Sequence, residues 1–587
     1  MKSKPKLSRL IVTICALATV ACGPESVPVE SSPDEIPELA SSFATVSYAS
    51  QNRPDVRGLT GAVSAGHPLA AQAGLRILHE GGNATDAVIA MAGVLAVVRP
   101  HMNGVGGDAF GIFYDGETGD ISSLNASGRA GSAATPEFFA AADLERMPGR
   151  GALSVSVPGA VAGWIDAHER LGSKDFAYLL QPAIEYARGG FPISTLLAKD
   201  FEEQGGALNG AGKDLYLPGG SPPPVGSLLK NLALADTLET IANEGKQGYY
   251  EGDIAKQLAA FITEQGGLLR EQDFTNHTST WVEPVRREYL GHTFLVMPPN
   301  TQGITQLAFM EMSKSHPVAA MGHNSIEYLH TLIELKKLSF ADRDRWVADP
   351  AMAEVPVEAL LDKGYLSKRA SLVDAAQAAI SVEPGFGDEI LSDTSKQQED
   401  SGDTVYITAV DQWGNAVSWI QSNFAGFGSG LLESETGILL HNRGALFSLE
   451  TGHPNQVEPD KRPYHTLSPM MALYSDGEFA FTLGTPGGDS QTQSLLQIVH
   501  NMLLFSMSPQ QAIEAPRFRS SGGLRVAIEN RITGDVLKGL EGRGHDLQVI
   551  DGWTATFGGA QMIFHNRDNG ALTAAADPRR EAYSLAY

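Results

Sequence analysis

The chain has 587 residues, 42% of them hydrophobic and 7% aromatic, enough for two or three ordinary domains or one large layered fold. Its 43 Lys and Arg stand against 68 Asp and Glu, and the formal charge of -25 repels phosphate backbones and argues against a nucleic-acid partner. The two cysteines, Cys15 and Cys22, both lie near the start, so the body of the chain has neither a disulfide nor a thiol nucleophile.

The opening stretch MKSKPKLSRLIVTICALATVACG has a basic start and an apolar run from about Leu10 to Ala21, short for a bilayer span. Small residues ahead of Cys22 make residues 1–22 resemble a bacterial lipoprotein signal, although Thr19 stands where leucine is usual. The other reading is an ordinary secretory signal. Either way an exported protein of the periplasm or cell envelope is expected, touching a membrane only through a lipid on Cys22. Residues 23–50, rich in Pro, Ser and Glu, read as a flexible tether.

From about Gly58 the pattern becomes globular. Helices are predicted over Pro68–His79 and Ala84–Val98, separated by a Gly-Gly-Asn stop. NGVGGDAFG then makes a glycine turn leading into a hairpin around Asp115–Asp120. TWVEPVRREYLGHTFLVMPPN reads as a pair of strands, and IEYLHTLIELKKLSFADRDRWV as an amphipathic helix. Residues 380–403 are polar and aperiodic, the profile of a mobile connector. After Thr404 the chain turns strand-rich, with Val405–Val410 and Ala416–Ser422 flanking the turn DQWGN. GILLHN, MMALYS and EFAFTLGT are expected to continue the sheet. SQTQSLLQIVHNMLLF supplies a packing helix, opened by Asp489 or Ser490 as N-cap after the turn Pro486-Gly487-Gly488.

Several chemistries find no support. NGVGGDAFG precedes a strand and lacks the third glycine of a dinucleotide loop. The 15 histidines show no H-x-x-x-H spacing and there is no C-x-x-C, so neither a metal nor another cofactor is expected. No G-x-S-x-G marks a serine-hydrolase elbow.

Thr404 stands at the junction between connector and strand. A threonine there is ordinarily a β-branched packing residue. Its hydroxyl becomes a nucleophile only beside a base, and an N-terminal threonine carries one in its own α-amino group, whose pKa near 8 leaves much of it neutral. For Thr404 that requires cutting the chain just before it. The Gly-Gly turn at 487–488, ahead of a helix, offers backbone N–H groups suited to developing negative charge, or is simply a connection.

Thr404, GNAVS, FGSG, TGILLHN, DKRPYHTLSP, TPGGDS and APRF, in that order, resemble the small subunit of the γ-glutamyltranspeptidase (glutathione hydrolase) family. GLTGAVSAGHPLAAQAGLRILHEGGNATDAVIA and NGVGGDAFG resemble the start of its large subunit, and the likeness runs from Gly58 to Tyr587. The resemblance implies an α+β fold, the αββα four-layer sandwich of N-terminal-nucleophile hydrolases. It also implies self-cleavage between Asp403 and Thr404 into a large subunit (51–403) and a small one (404–587). In that family Thr404 would form an acyl-enzyme with a γ-glutamyl amide such as glutathione, resolved by water or an amino acid. Ser422 falls where a second hydroxyl bonds the nucleophile, and Gly487 and Gly488 take the oxyanion role.

Other positions depart from the family pattern. Phe424 stands where asparagine is usual, with Asn423 beside it; Arg443 replaces a glutamine; Leu446 replaces the aspartate that would hold the substrate ammonium; and His465-Thr466 replaces paired serines. Arg129, in LNASGRAG, is a candidate carboxylate clamp about two places from the usual arginine. Asn423, Arg443, His465, Thr466 and Arg129 are thus the candidate substrate contacts, with a structural ion pair the other reading of each arginine. A leucine cannot pair with an ammonium, so two small-molecule donors stay open. One is a γ-glutamyl amide. The other is an oxamate-like, glutaryl or cephalosporin-type amide without the amine. The short connection from Phe447 to Lys461 suggests an open cleft.

Overall fold

The computed structural model describes residues 53–386, 402–550 and 553–587. The signal and tether expected over residues 1–50, and most of the expected connector, lie outside the described residues. Two seven-stranded antiparallel sheets organise the rest. The first runs Tyr583–Ala586, Ala62–Ala65, Gly402–Val410, Ala416–Ala425, Asp108–Tyr114, Ile121–Ala126, Thr280–Val282. The second runs Val56–Gly58, Ala571–Ala576, Gln561–Asn566, Phe479–Gly484, Met470–Tyr474, His292–Val296, Val285–Tyr289.

Strand alternation fixes the layering. Every residue of Gly402–Val410 is buried, yet successive side chains enter different cores. Val405, Ile407 and Ala409 pack against the helices Pro68–His79, Ala84–Val98 and Ala160–Leu171. Tyr406 and Val410 point the other way, into a core shared with Leu295, Met471 and Ile563 of the second sheet. That sheet's opposite face, with Phe294, Phe481 and Met562, meets the helices Gly303–Ser313, Ile326–Trp346 and Ser490–Leu503. The result is helix, sheet, sheet, helix, the expected four layers.

Local signals explain the elements that match expectation. Asn83 and Asp86 form a reciprocal capping box that starts Ala84–Val98, a helix buried on every side between the sheet and Phe176–Gly189. Three readings need correction. TWVEPVRREYLGHTFLVMPPN forms three strands, because Glu283-Pro284 breaks the run and lets the chain pass from one sheet to the other. GILLHN contributes only Ile438–Leu439, paired with Leu432–Glu433 outside the main sheets. The helix Ile326–Trp346 is not half solvated: Lys336, Lys337 and Arg343 are buried, and Lys337 pairs with Glu334 at 2.7 Å.

Packing of this density leaves histidines without water. His500 is fully buried between the hydroxyls of Tyr289 (2.6 Å) and Tyr328 (3.0 Å), and burial pushes it down from 6.5 to about 3. An unfolded histidine binds a proton below about pH 6.5 while this one does not until about 3, so stability contributed by its neutral form is lost as pH falls through that window. His500→Asn is therefore expected to make the slope of unfolding free energy against pH shallower by about 1.4 kcal/mol per pH unit between pH 6 and 4. Chemical denaturation of both proteins across that range checks it; parallel slopes would refute it.

Candidate active site

The site sits near one end of the pairing between two central strands of the first sheet. Asp403 pairs with Phe424 and Val405 with Gln421, and the register slips between them, leaving Thr404 beside Ser422 at a β-bulge. The strand thus starts at Gly402 and runs unbroken through Asp403–Thr404, three residues before the expected Val405. Thr404 is 2% exposed, and its hydroxyl donates to Ser422 Oγ at 3.0 Å. Ser422 Oγ donates onward to the Asp403 carbonyl oxygen at 2.7 Å and accepts from the Phe424 N–H at 2.8 Å. One relay therefore joins the threonine oxygen to the carbonyl of the peptide bond just before it.

The Pro486-Gly487-Gly488 turn lies alongside. Gly487 and Gly488 have φ of 127° and 55°, a backbone path that favours glycine. Their carbonyls are tied down by Ser490 N (2.9 Å) and Gln491 N (3.1 Å). Among the described residues neither glycine N–H donates to a protein acceptor, which leaves two backbone donors free. A Cβ on Gly402 would come within 3.0 Å of Gly488 N, so the turn abuts the chain entering the Asp403–Thr404 bond. Asp489 occupies the helix N-cap position without capping; its carboxylate takes Arg343 at 2.7 and 3.3 Å instead. Arg343 also reaches Gln302 Oε1 at 3.0 Å, and Gln302 Nε2 holds the Thr466 and Gly488 carbonyls at 2.6 and 3.3 Å.

A second cluster lies one strand over. Asp108 is the ladder partner of Ser422 and accepts from Gly128 N at 2.9 Å. Burial would raise its carboxyl, yet His441 at 2.9 Å and the Arg443 guanidinium hold it well below the usual carboxylate range. Arg443 is fully buried, 3.7 Å from Asp108, stacked over the Phe424 ring and donating to Thr466 Oγ1 at 3.3 Å. Burial pushes it down to about 10, which leaves it charged at neutral pH, and its Nη2 has no protein partner among the described residues. Leu446 packs in the same apolar cluster as Phe424 and Tyr464.

Thr404, Ser422, Gly487 and Gly488 thus come together, with Arg443 and Thr466 adjoining. Three sequence candidates do not join them. Asn423 points to the opposite face of its strand, donating to the Pro100 carbonyl at 3.2 Å. His465 is a packing residue, bonded to Ser127 Oγ at 2.8 Å, edge-on to Phe110 and kept neutral by burial with Arg443 close by. Arg129 is partly exposed and donates to the Thr278 carbonyl at 3.2 Å.

Sequence reading missed Gln302, Asp108, Arg99 and Arg580. Arg99 and Arg580 line a small cavity with Thr404, Met102 and Pro486. No local pattern marks DPRRE near the C-terminus as part of the site; it lies between Ala571–Ala576, paired in the second sheet, and Tyr583–Ala586, paired in the first. One grouping of metal-ligand type occurs among the described residues, His330, Glu334 and His545. Its carboxylate is already held by Lys337 at 2.7 Å and Ala379 N at 3.0 Å, and the adjacent ammonium opposes a cation.

A threonine near the start of a central strand of an αββα sandwich, bonded to a hydroxyl on the neighbouring strand, is the build of an N-terminal-nucleophile hydrolase. Within that class the chain belongs to the γ-glutamyltranspeptidase family, whose model matches residues 70–587, and it is an enzyme of the hydrolase and transferase type. It is 37% identical over 529 residues to the glutathione hydrolase-like YwrD proenzyme of Bacillus subtilis (strain 168), covering 88% of this chain and 97% of that one. It is 33% identical over 549 residues to the oxamate amidohydrolase proenzyme of Klebsiella pneumoniae, covering 90% and 98%. The crystal structure of cephalosporin acylase from Bacillus halodurans superposes with a TM-score of 0.84 at 34% identity, over 93% of this chain and 99% of that one.

Proposed function

We propose that the chain cuts itself between Asp403 and Thr404 and then uses Thr404 to hydrolyse or transfer the acyl group of γ-glutamyl amides such as glutathione. The observation that carries this is the Thr404–Ser422–Asp403 relay. In the precursor Thr404 Oγ attacks the Asp403 carbonyl carbon, and the C–N bond yields to a C–O ester. The Oγ proton passes to the Thr404 nitrogen, which becomes a free amine; water then cleaves the ester, leaving a carboxyl on Asp403 and restoring the Thr404 hydroxyl. In the mature enzyme this amine takes the Oγ proton as Oγ attacks the donor carbonyl and hands it to the departing nitrogen. The Gly487 and Gly488 N–H groups receive the oxyanion. Water or an amino acid then resolves the acyl-enzyme.

A second reading keeps this machinery and changes the donor to an oxamate-like, glutaryl or cephalosporin-type amide. It is favoured by Leu446 and Phe424, which present apolar surface where an ammonium would need a carboxylate. Rates with γ-glutamyl, glutaryl and oxamyl anilides separate the two. The first reading expects kcat/KM for the γ-glutamyl anilide to exceed the others; turnover of only the amine-free donors would establish the second.

A further inference from the structure

We propose that Arg580 clamps the carboxylate of the acyl donor in the mature enzyme, and that the Asp403 side chain occupies its place in the precursor. This rests on Thr404 being the nucleophile. Arg580 Nη2 donates to Asp403 Oδ1 at 2.8 Å, with both side chains buried. The pair is incompletely made: Asp403 Oδ2 and Arg580 Nε have no hydrogen-bond partner among the described residues. Arg580 Nη1 has only the sulfur of Met102, a weak acceptor 3.7 Å away. The guanidinium lines the same cavity as Thr404, and Arg99 lines it too.

Charge counting shows what cleavage does here. Arg99 and Arg580 face three carboxylates, since Arg99 Nη1 lies 3.5 Å from Asp200 and 3.3 Å from Glu581, and Asp403 is the third. Self-cleavage makes Asp403 a chain end, free to withdraw. Asp200 and Glu581 then balance the two arginines, and the face of Arg580 that held Asp403 has no anion. A buried guanidinium with an empty face favours an incoming carboxylate. The length of the acyl group follows from the same contact. In self-cleavage the attacked carbon is the Asp403 carbonyl, and two carbons, Cα and Cβ, separate it from the carboxylate bound by Arg580. Asp403 is thus an internal succinyl group, and donors with a carboxylate two or three carbons from the amide fit the clamp. The glutaryl skeleton within a γ-glutamyl group is one of them.

The test compares the processed wild-type enzyme with Arg580→Lys and Arg580→Gln, using succinyl, glutaryl and uncharged butyryl anilides. Arg580→Gln is expected to raise KM for the charged donors by about 30-fold. It should leave kcat for them, and kcat/KM for the butyryl donor, within about twofold, with Arg580→Lys intermediate. Equal losses on charged and uncharged donors, or an unchanged KM ratio, would overturn the clamp. Phenylglyoxal modification with peptide mapping covers variants that stay uncut. In the wild type Arg580 should be modified after cleavage and protected by succinate, and it should stay unmodified in uncut Thr404→Ala. Modification unaffected by succinate, or absent in both forms, refutes the proposal. N-terminal sequencing of the same samples reports separately on the Thr404 reading.

Discussion

Thr404→Ala is expected to stay a single uncut chain, while the wild type yields a fragment beginning Thr-Val-Tyr-Ile, and to lose turnover by a factor on the order of 10⁴ or more. The reason is geometric. The hydroxyl that bonds Ser422 at 3.0 Å belongs to the residue whose own peptide bond carries the Asp403 carbonyl, and Ser422 already polarises that carbonyl from 2.7 Å. Removing Oγ removes the attacking atom of both reactions at once. Thr404→Ser keeps the oxygen and should still cut. Ser422→Ala keeps the nucleophile but takes away its acceptor and the donor to the scissile carbonyl, so cutting should slow roughly 100-fold. A denaturing gel followed by N-terminal sequencing decides all three. A Thr404→Ala chain cut at wild-type rate would end the account.

Much of this was legible because the cues are local. Gly81-Gly82-Asn83 announces a break between two helices, and the alternation after Thr404 announces a strand. Thr404 and Ser422 lie on neighbouring strands joined by one short turn, so their meeting follows from hairpin register. Period-two alternation also shows why Asn423 could not share Ser422's surroundings: adjacent residues on a strand face opposite sides. Other features had no local cue. Asp403 and Arg580 are 177 residues apart and meet only because both sheets are complete. His465 and Thr466 are neighbours in sequence, but His465 bonds Ser127 while Thr466 meets Arg443; nothing in the dipeptide distinguishes the roles. GILLHN carries strand-forming residues but pairs only with Leu432–Glu433, outside both large sheets.

Gly487→Ala should lower kcat by about 10² to 10³ with KM little changed, and slow self-cleavage similarly if one oxyanion site serves both reactions. The glycine adopts φ of 127°, and an added Cβ would lie 2.2 Å from Ser490 Oγ, the first residue of the following helix. That turn cannot give way freely. Ser490 Oγ holds the Gly487 carbonyl at 2.9 Å, Gln302 holds the Gly488 carbonyl at 3.3 Å, and Arg343 grips Asp489 at 2.7 Å. The backbone must therefore shift, and the N–H groups shift with it. Pairing the substitution with Ser490→Gly removes the steric contact while leaving φ unchanged. Because an L side chain at that φ is strained whatever the space, the double variant should recover little of the lost kcat. Full recovery would show that crowding against Ser490, and not the path of the turn, sets the rate. Wild-type kcat in Gly487→Ala itself would remove this turn from the catalytic account.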